Sequence, residues 1–424
     1  TSYGYPMGLA DYSAFILGGL PKQGQMLEEV KDLLLNEIKK LRAGEFDEKM
    51  LQANINNFKL YELQSMESNE GRADIFVNSF INGTNWEDEV TAIDRMAKLT
   101  KEDIVAFADK YLKEDNYAVV YKKQGKDPNE KKMTKPEITP IVSNRDVASP
   151  FLTSIQENAV KPIEPVFLDF KKDMSQLTAK SDIPVLYKQN TTNDLFQLIY
   201  VFDMGNNNDK ALGTAFDYLE YLGTSDMTPE ELKSEFYRLA CTFYVSPGNE
   251  RTYVVLSGLN ENMPAAMQLF EKLLADAQVN KEAYDNLVGD ILKARADAKL
   301  NQGQNFSRLM NYAMYGPKSP ATNLLTEAEL ASMNPQELVD RIHNQNNYKH
   351  RILYYGPSSS KDLLATIDQY HQVPATLKDI PAGNEFSYLE TPATKVLVAP
   401  YEAKQIYMAQ ISNLDKKYDP AIEP

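Results

Sequence analysis

The sequence predicts an α+β fold made of repeated α/β units, each a mainly antiparallel sheet packed with helices. Three observations carry that prediction. Runs rich in β-branched and aromatic residues, closed by glycine turns, alternate with segments of helical apolar period. The alternation occurs twice in the same order, and a charged, proline-marked stretch separates the two occurrences. A chain of 424 residues has room for two or three domains, and 43% hydrophobic with 25% charged residues is a globular composition.

The first occurrence opens at Ser13-Ala14-Phe15-Ile16-Leu17-Gly18-Gly19-Leu20, the second at Thr252-Tyr253-Val254-Val255-Leu256-Ser257-Gly258-Leu259. Each is a strand signal followed by a helix, over 26–42 and 264–277. In the first helix Leu27, Val30, Leu34, Ile38 and Leu41 form one apolar stripe. Asp47-Glu48-Lys49 and Asn280-Lys281-Glu282 start the next helix, with Asp47 and Asn280 as N-caps. Thr100-Lys101-Glu102-Asp103-Ile104 and Asn334-Pro335-Gln336-Glu337-Leu338 start a later one, each with an acid or amide three residues after the cap. Both copies are expected to end in a strand, Tyr117-Ala118-Val119-Val120-Tyr121 and Arg351-Ile352-Leu353-Tyr354-Tyr355. The offsets stay within roughly 233 to 239 residues, far too long for a solenoid unit, so each copy is expected to be a domain.

Before its copy, the second unit has a further front portion. Pro184-Val185-Leu186-Tyr187-Lys188 and Phe196-Gln197-Leu198-Ile199-Tyr200-Val201-Phe202 predict a β-hairpin around residues 190–193. A helix over 209–222 follows. Thr228-Pro229-Glu230-Glu231 then starts another, with Thr228 as N-cap, Pro229 at the first helical position and Glu231 closing a capping box. The first copy has no counterpart of 181–240, so the chain is expected to start in mid-domain and to be a piece of a longer one. The stretch 124–180, with Gly125-Lys126-Asp127-Pro128-Asn129-Glu130-Lys131-Lys132 and many prolines, is expected to be a linker holding one short helix over 150–159. Near the end, Thr394-Lys395-Val396-Leu397-Val398 and Gln405-Ile406-Tyr407-Met408-Ala409-Gln410-Ile411 are expected to pair as strands opening a third copy. The expected division is 1–123, 124–180, 181–372 and 373–424.

Charge and residue counts exclude several functions. Forty-five basic against 60 acidic residues leave a net charge of −15, which repels nucleic-acid backbones. No apolar run reaches the roughly 18 residues that span a bilayer. A single cysteine, Cys241, allows neither an internal disulfide nor a cysteine zinc site, and it is expected to be a buried apolar side chain. His343, His350 and His371 have no pair spaced to place two imidazoles on one helical face. They are expected to be solvated or capping residues. The acidic cluster Glu67, Glu70 and Asp74 is expected to be a solvated face. Tyr237, Phe243, Tyr244 and Tyr253 are either core or the lining of a peptide groove, and Trp86, after Gly83-Thr84-Asn85, anchors a loop.

The order hairpin, helix, capped helix, strand, long helices and helix-strand finish resembles the pitrilysin/insulinase-type zinc metallopeptidases. The clearest local match is Asp217-Tyr218-Leu219-Glu220-Tyr221-Leu222-Gly223-Thr224, where that family's active domain carries His-x-x-Glu-His and then Gly-Thr. Glu220 stands on the motif's glutamate; Asp217 and Tyr221 replace its two histidines. Tyr315-Gly316-Pro317 and Tyr354-Tyr355-Gly356 are similar to the family's closing segment.

The resemblance implies two halves, each a pair of α/β domains, closing like a clamshell around an extended peptide. It implies that 1–123 is the back of one domain, 181–372 a complete domain with a degenerate motif, and 373–424 the connector and front of another. Zinc is then expected in a missing N-terminal domain of the parent chain, with no cofactor in this part. Two histidines one turn apart bind Zn²⁺, the glutamate activates its water, and a distant acid is the third ligand. A tyrosine phenol, with a pKa near 10, is a poor substitute for imidazole, so no metal is expected at Asp217, Glu220 and Tyr221, and no catalytic residue in this part. Glu220 is expected to be a helix-surface acid near Lys210 or Lys233. The implied function is a noncatalytic part of a metalloendopeptidase, with an extended peptide and an N-terminal catalytic half as partners. The alternatives are an assembly subunit related to the family and a non-hydrolytic peptide-binding module. Cytoplasm and bacterial periplasm are equally compatible.

Overall fold

The computed structural model describes residues 2–413 except 10, 23, 127–130, 132, 142, 144, 146 and 404. Parts of the expected linker and of the expected third copy therefore lie outside the described residues. Two compact units divide the chain. The first comprises 1–7, 14–45 and 102–173; the second comprises 8–13, 46–101 and 174–424.

The chain opens with a two-stranded sheet, β1 (Ser2–Gly8) and β2 (Ser13–Gly19). β1 is a strand beyond those expected, and Tyr3, Tyr5 and Met7 alternate in it with period two. Helix α1 (Leu27–Arg42) has acids in its first turn and Lys39, Lys40 and Arg42 in its last, the polarity that its dipole favours. Its apolar stripe is only half-buried. Arg42 pairs with Asp109 at 2.8 Å, and of the described residues in this unit only Ala108 is a fully buried apolar residue. At about 1.5–3 kcal/mol for each large side chain fully buried, the hydrophobic stabilisation of the molecule resides in the second unit.

Helices α2 (Lys49–Ser65), α3 (Asn69–Asn82), α4 (Trp86–Val90) and α5 (Ala92–Met96) belong to that second unit rather than with their sequence neighbours. The reason is visible in α2: the Asn57 amide donates to the Tyr237 carbonyl at 2.7 Å, and Leu60 is buried with Leu195, Ala240 and Leu259. Helices α6 (Lys101–Tyr111) and α7 (Pro150–Gln156) follow. Ser149 caps α7 through the Leu152 amide, and Pro150 takes the first helical position.

The core of the second unit is a six-stranded sheet ordered β3-β4-β8-β5-β7-β6. Its strands are β3 (Ser175–Ala179), β4 (Ile183–Gln189), β5 (Leu195–Phe202), β6 (Cys241–Pro247), β7 (Thr252–Leu259) and β8 (Arg351–Gly356). All pairs are antiparallel except β4 with β8, which agrees with the α+β prediction. The helices are α8 (Leu212–Leu219), α9 (Pro229–Arg238), α10 (Met263–Asp276), α11 (Lys281–Ala298), α12 (Gln302–Tyr315), α13 (Glu327–Ser332), α14 (Gln336–Asn344) and α15 (Ser360–Tyr370). Phe216 and Leu219 of α8, Met267 and Phe270 of α10, Ile342 of α14 and Ile367 of α15 pack with Leu198, Phe202, Leu256 and Ile352 of the sheet.

The expected caps at Thr228 and Asn280 form, whereas α2 takes Glu48 as its N-cap and Asp47 stands one residue ahead of it. Thr228 Oγ1 accepts from the Glu231 amide at 3.2 Å, and Glu231 returns the bond to the Thr228 amide at 2.8 Å. Asn280 accepts from the Ala283 amide at 3.0 Å, and Asp47 accepts from the Lys49 amide at 3.0 Å.

The expected hairpin is corrected. β4 and β5 are both strands, but β8 inserts between them. Asn190 holds the turn wide: its side chain bonds Asn193 and the Leu195 carbonyl, and its backbone amide donates to the Gly356 carbonyl at 2.8 Å. β3 extends the sheet from within the stretch expected to be linker, its backbone satisfied by pairing with β4.

The two expected closing strands also differ. Residues 351–355 form β8, paired on both sides. Residues 117–121 are not a strand, because an isolated segment without flanking strands cannot satisfy its backbone groups. The runs 394–398 and 405–411 are likewise irregular, so the expected opening strands are absent among the described residues.

Gly258 gives a local test. It sits at φ 150°, where a Cβ would lie 2.3 Å from the Ala240 carbonyl oxygen and 2.7 Å from the Cys241 Cα. Gly258→Ala is expected to lower stability by about 1–3 kcal/mol, as a forced displacement of backbone does, measurable by urea titration with an unchanged m-value.

Candidate functional site

Helix α8 buries Leu212, Ala215, Phe216, Tyr218 and Leu219, leaving Asp217, Glu220 and Tyr221 exposed together one turn apart. The intervening tyrosine is structural. The Tyr218 hydroxyl donates to the Asn280 carbonyl at 2.6 Å and accepts from the Asn280 amide at 2.8 Å, tying α8 to the start of α11. Gly223 follows where the chain must pass closely: a Cβ there would lie 2.3 Å from the Met227 carbonyl oxygen. Its own carbonyl accepts from the Gln278 amide at 2.9 Å.

Desolvation first, and the Glu220 charge second, push the Asp217 carboxyl above the usual range. Lys210, one expected neighbour of Glu220, instead pairs with Glu329, whose carboxyl it helps to hold down at about 2. Lys233 does lie with Glu220, in the groove described next.

That groove has a volume of about 440 Å³. Phe216 and Leu219 line it from α8 and Glu220 from that helix's C-cap, Lys233, Phe236 and Tyr237 from α9, and residues 241–245 from β6. Tyr61 and Gln64 of α2 close its far side. Three of the four aromatics singled out from the sequence, Tyr237, Phe243 and Tyr244, meet there; Tyr253 does not. Phe243 is shared with the core, its ring 4.9 Å from Phe236 and 4.8 Å from Phe270. Tyr237 and Tyr244 are exposed. β6 is one of the sheet's two edge strands, so among the described residues one side of its backbone has no strand neighbour. Cys241 lies at the groove's floor but is buried, and burial pushes its thiol up to about 12, which removes thiolate chemistry at neutral pH.

The remaining sequence candidates lie elsewhere. Glu67, Glu70 and Asp74 are exposed, with Glu67 accepting from the Asn193 amide at 3.0 Å. Trp86 stacks on Phe76 at 4.6 Å beside the left-handed Gly83 that ends α3. Among the described residues no cluster of three His, Cys, Asp or Glu side chains could hold a metal ion, and no helix is long and apolar enough to cross a membrane.

The histidines require a correction. His343 is half-buried and within 3.1 Å of the Ala277 carbonyl oxygen, but His350 and His371 are buried, not solvated. They meet each other and Glu271 across three separate elements, and no local spacing signals that meeting.

No family model matches the chain, and no curated protein matches it. Among solved structures the chain is similar to a peptidase M16 inactive domain from Pseudomonas fluorescens, at 15% identity over 51% of this chain and 53% of that one, with a TM-score of 0.42. It is similar to the periplasmic protease PqqL from Escherichia coli at 12% identity, over 92% of this chain and 46% of that one, with a TM-score of 0.47. It is also similar to a protease from Helicobacter pylori at 10% identity, over 51% and 54% of the two chains, with a TM-score of 0.41. The chain spans about half the length of each of these proteins.

Proposed function

We propose that this chain forms noncatalytic domains of an insulinase-type zinc metalloendopeptidase, and that its β6 groove receives an extended segment of the peptide substrate. One observation carries the reading. The exposed face of α8, with Glu220 at the position of the motif's glutamate, borders a groove whose other wall is the edge strand β6. An edge strand can accept an extended peptide through backbone hydrogen bonds, and a nearby apolar groove can accept its side chains. Zinc chemistry belongs to the parent's N-terminal half in this reading. Here Asp217 and Tyr221 stand where imidazoles would hold the ion, and Glu220 has no metal-bound water to deprotonate.

A second reading, an assembly subunit, is favoured by α3, where Phe76, Val77, Phe80 and Ile81 are all exposed. Cleavage separates the two. With unstructured peptides of about ten to thirty residues, mass spectrometry is expected to find no zinc-dependent cleavage by this chain. Adding a parent N-terminal half bearing His-x-x-Glu-His is expected to start it. Chelator-sensitive cleavage by the purified chain alone would overturn the noncatalytic reading, and silence after the addition would favour the assembly subunit.

A further inference from the structure

Outside the groove's lining, Glu271 of α10, His371 at the end of α15 and His350 just before β8 form a buried row. The Nδ1 of His371 lies 2.6 Å from Glu271 Oε1, the two Nε2 atoms are 2.9 Å apart, and His350 Nδ1 lies 2.7 Å from the Tyr348 carbonyl oxygen. We infer that these three bonds each hold one proton, which makes His371 a buried imidazolium and the row a pH-limited clasp on the end of α15.

The proton count follows from what each atom can do. A carbonyl oxygen only accepts, so His350 Nδ1 must carry a hydrogen. A neutral His350 then has a bare Nε2. If His371 Nε2 were bare as well, two lone pairs would face each other at 2.9 Å, so that contact holds a proton. The third proton lies between His371 and Glu271. Glu271 already accepts from the Tyr200 hydroxyl at 2.9 Å, the Asn346 amide at 2.9 Å and the Gln372 backbone amide at 3.0 Å. Those donors already occupy both carboxylate oxygens, the pattern of a group that only accepts, which places the third proton on His371 Nδ1 and leaves both nitrogens of His371 protonated. His350 stays neutral, since burial and then the facing His371 pull it down to about 4.

Among the described residues no other charged side chain is bonded to the row. Tyr200 faces Glu271 from β5, and the Phe202 ring lies 4.7 Å from His350. The charged neighbours in sequence pair outward: Lys272 with Asp226, Lys349 with Asp379, and Arg351 with Asp203. The clasp has limits on both sides. A fourth proton sets two N–H groups against each other between the rings, and loss of one sets two lone pairs against each other. Either event loosens the connector that follows, because the Gln372 amide is bonded to Glu271 and the Lys378 amide to the Asn347 carbonyl at 2.7 Å.

Side-chain ¹⁵N NMR of the full chain tests the count. At pH 7 one imidazole is expected to show two protonated nitrogens and another the Nδ1–H tautomer. Two neutral rings with one proton each would overturn it. His350→Gln, whose amide oxygen can still accept from His371, serves as the second arm. Amide exchange protection at Gln372 is expected to fall at least about tenfold between pH 7 and pH 4.5 in the unaltered chain, and less than about threefold in the variant. Equal losses in the two proteins would contradict the clasp.

Discussion

Glu271→Ala is expected to destabilise the second unit by about 3–5 kcal/mol, the range for removing one member of a buried ion pair. The carboxylate is 1% exposed and His371 0% exposed, so neither can recover hydration when the other is lost. The substitution would leave an imidazolium, the Tyr200 hydroxyl, the Asn346 amide and the Gln372 amide without their common acceptor, and each orphaned buried donor adds to the cost. Combining Glu271→Leu with His371→Leu is expected to recover only the part of the loss that comes from the unpaired imidazolium, because apolar side chains replace a buried ion pair at little net cost while the Tyr200, Asn346 and Gln372 donors stay without their acceptor. Chemical denaturation of the two single variants and the double variant gives the coupling free energy. A coupling near zero would show that the contact is not an ion pair.

Acid is expected to remove about 3 kcal/mol of stability through His350 between pH 6.5 and pH 4. The group is neutral and buried in the folded chain, where burial lowers it to about 4, while in the unfolded chain it titrates near 6.5. A depressed pKa means that the unfolded state binds the proton first. The contribution is therefore fully present above about pH 6.5 and falls by at most about 1.4 kcal/mol per pH unit until the folded group also titrates. Urea titrations across this range, on the unaltered chain and on His350→Gln, read the difference directly.

The sequence shows local structure in proportion to how local its causes are. Thr228 and Glu231 sit three residues apart and form the capping box that their identities require. Asn280 caps its helix for the same reason. The insertion of β8 between β4 and β5 is a matter of which strands can satisfy one another, and roughly 150 residues separate it from them, so nothing within either run announces it. The run 117–121 shows the converse: a good strand composition without neighbours stays irregular. At the site, helical period alone predicts that Asp217, Glu220 and Tyr221 share a face. The groove beside them needs α2, α9 and β6 to converge, and only three of the four aromatics considered take part. Glu271, His350 and His371 form no spacing motif, since each comes from a different element.

Peptide docking along β6 without chemistry at α8 is the central proposal for this chain. Its most direct test is hydrogen exchange on the full chain, resolved by residue, with and without a saturating extended peptide of about ten to thirty residues. Protection is expected to rise at the edge strand Cys241–Pro247 and in the facing turns of α8 and α9, with the peptide recovered intact. Protection confined to other elements, or recovery of the peptide in zinc-dependent fragments, would contradict it.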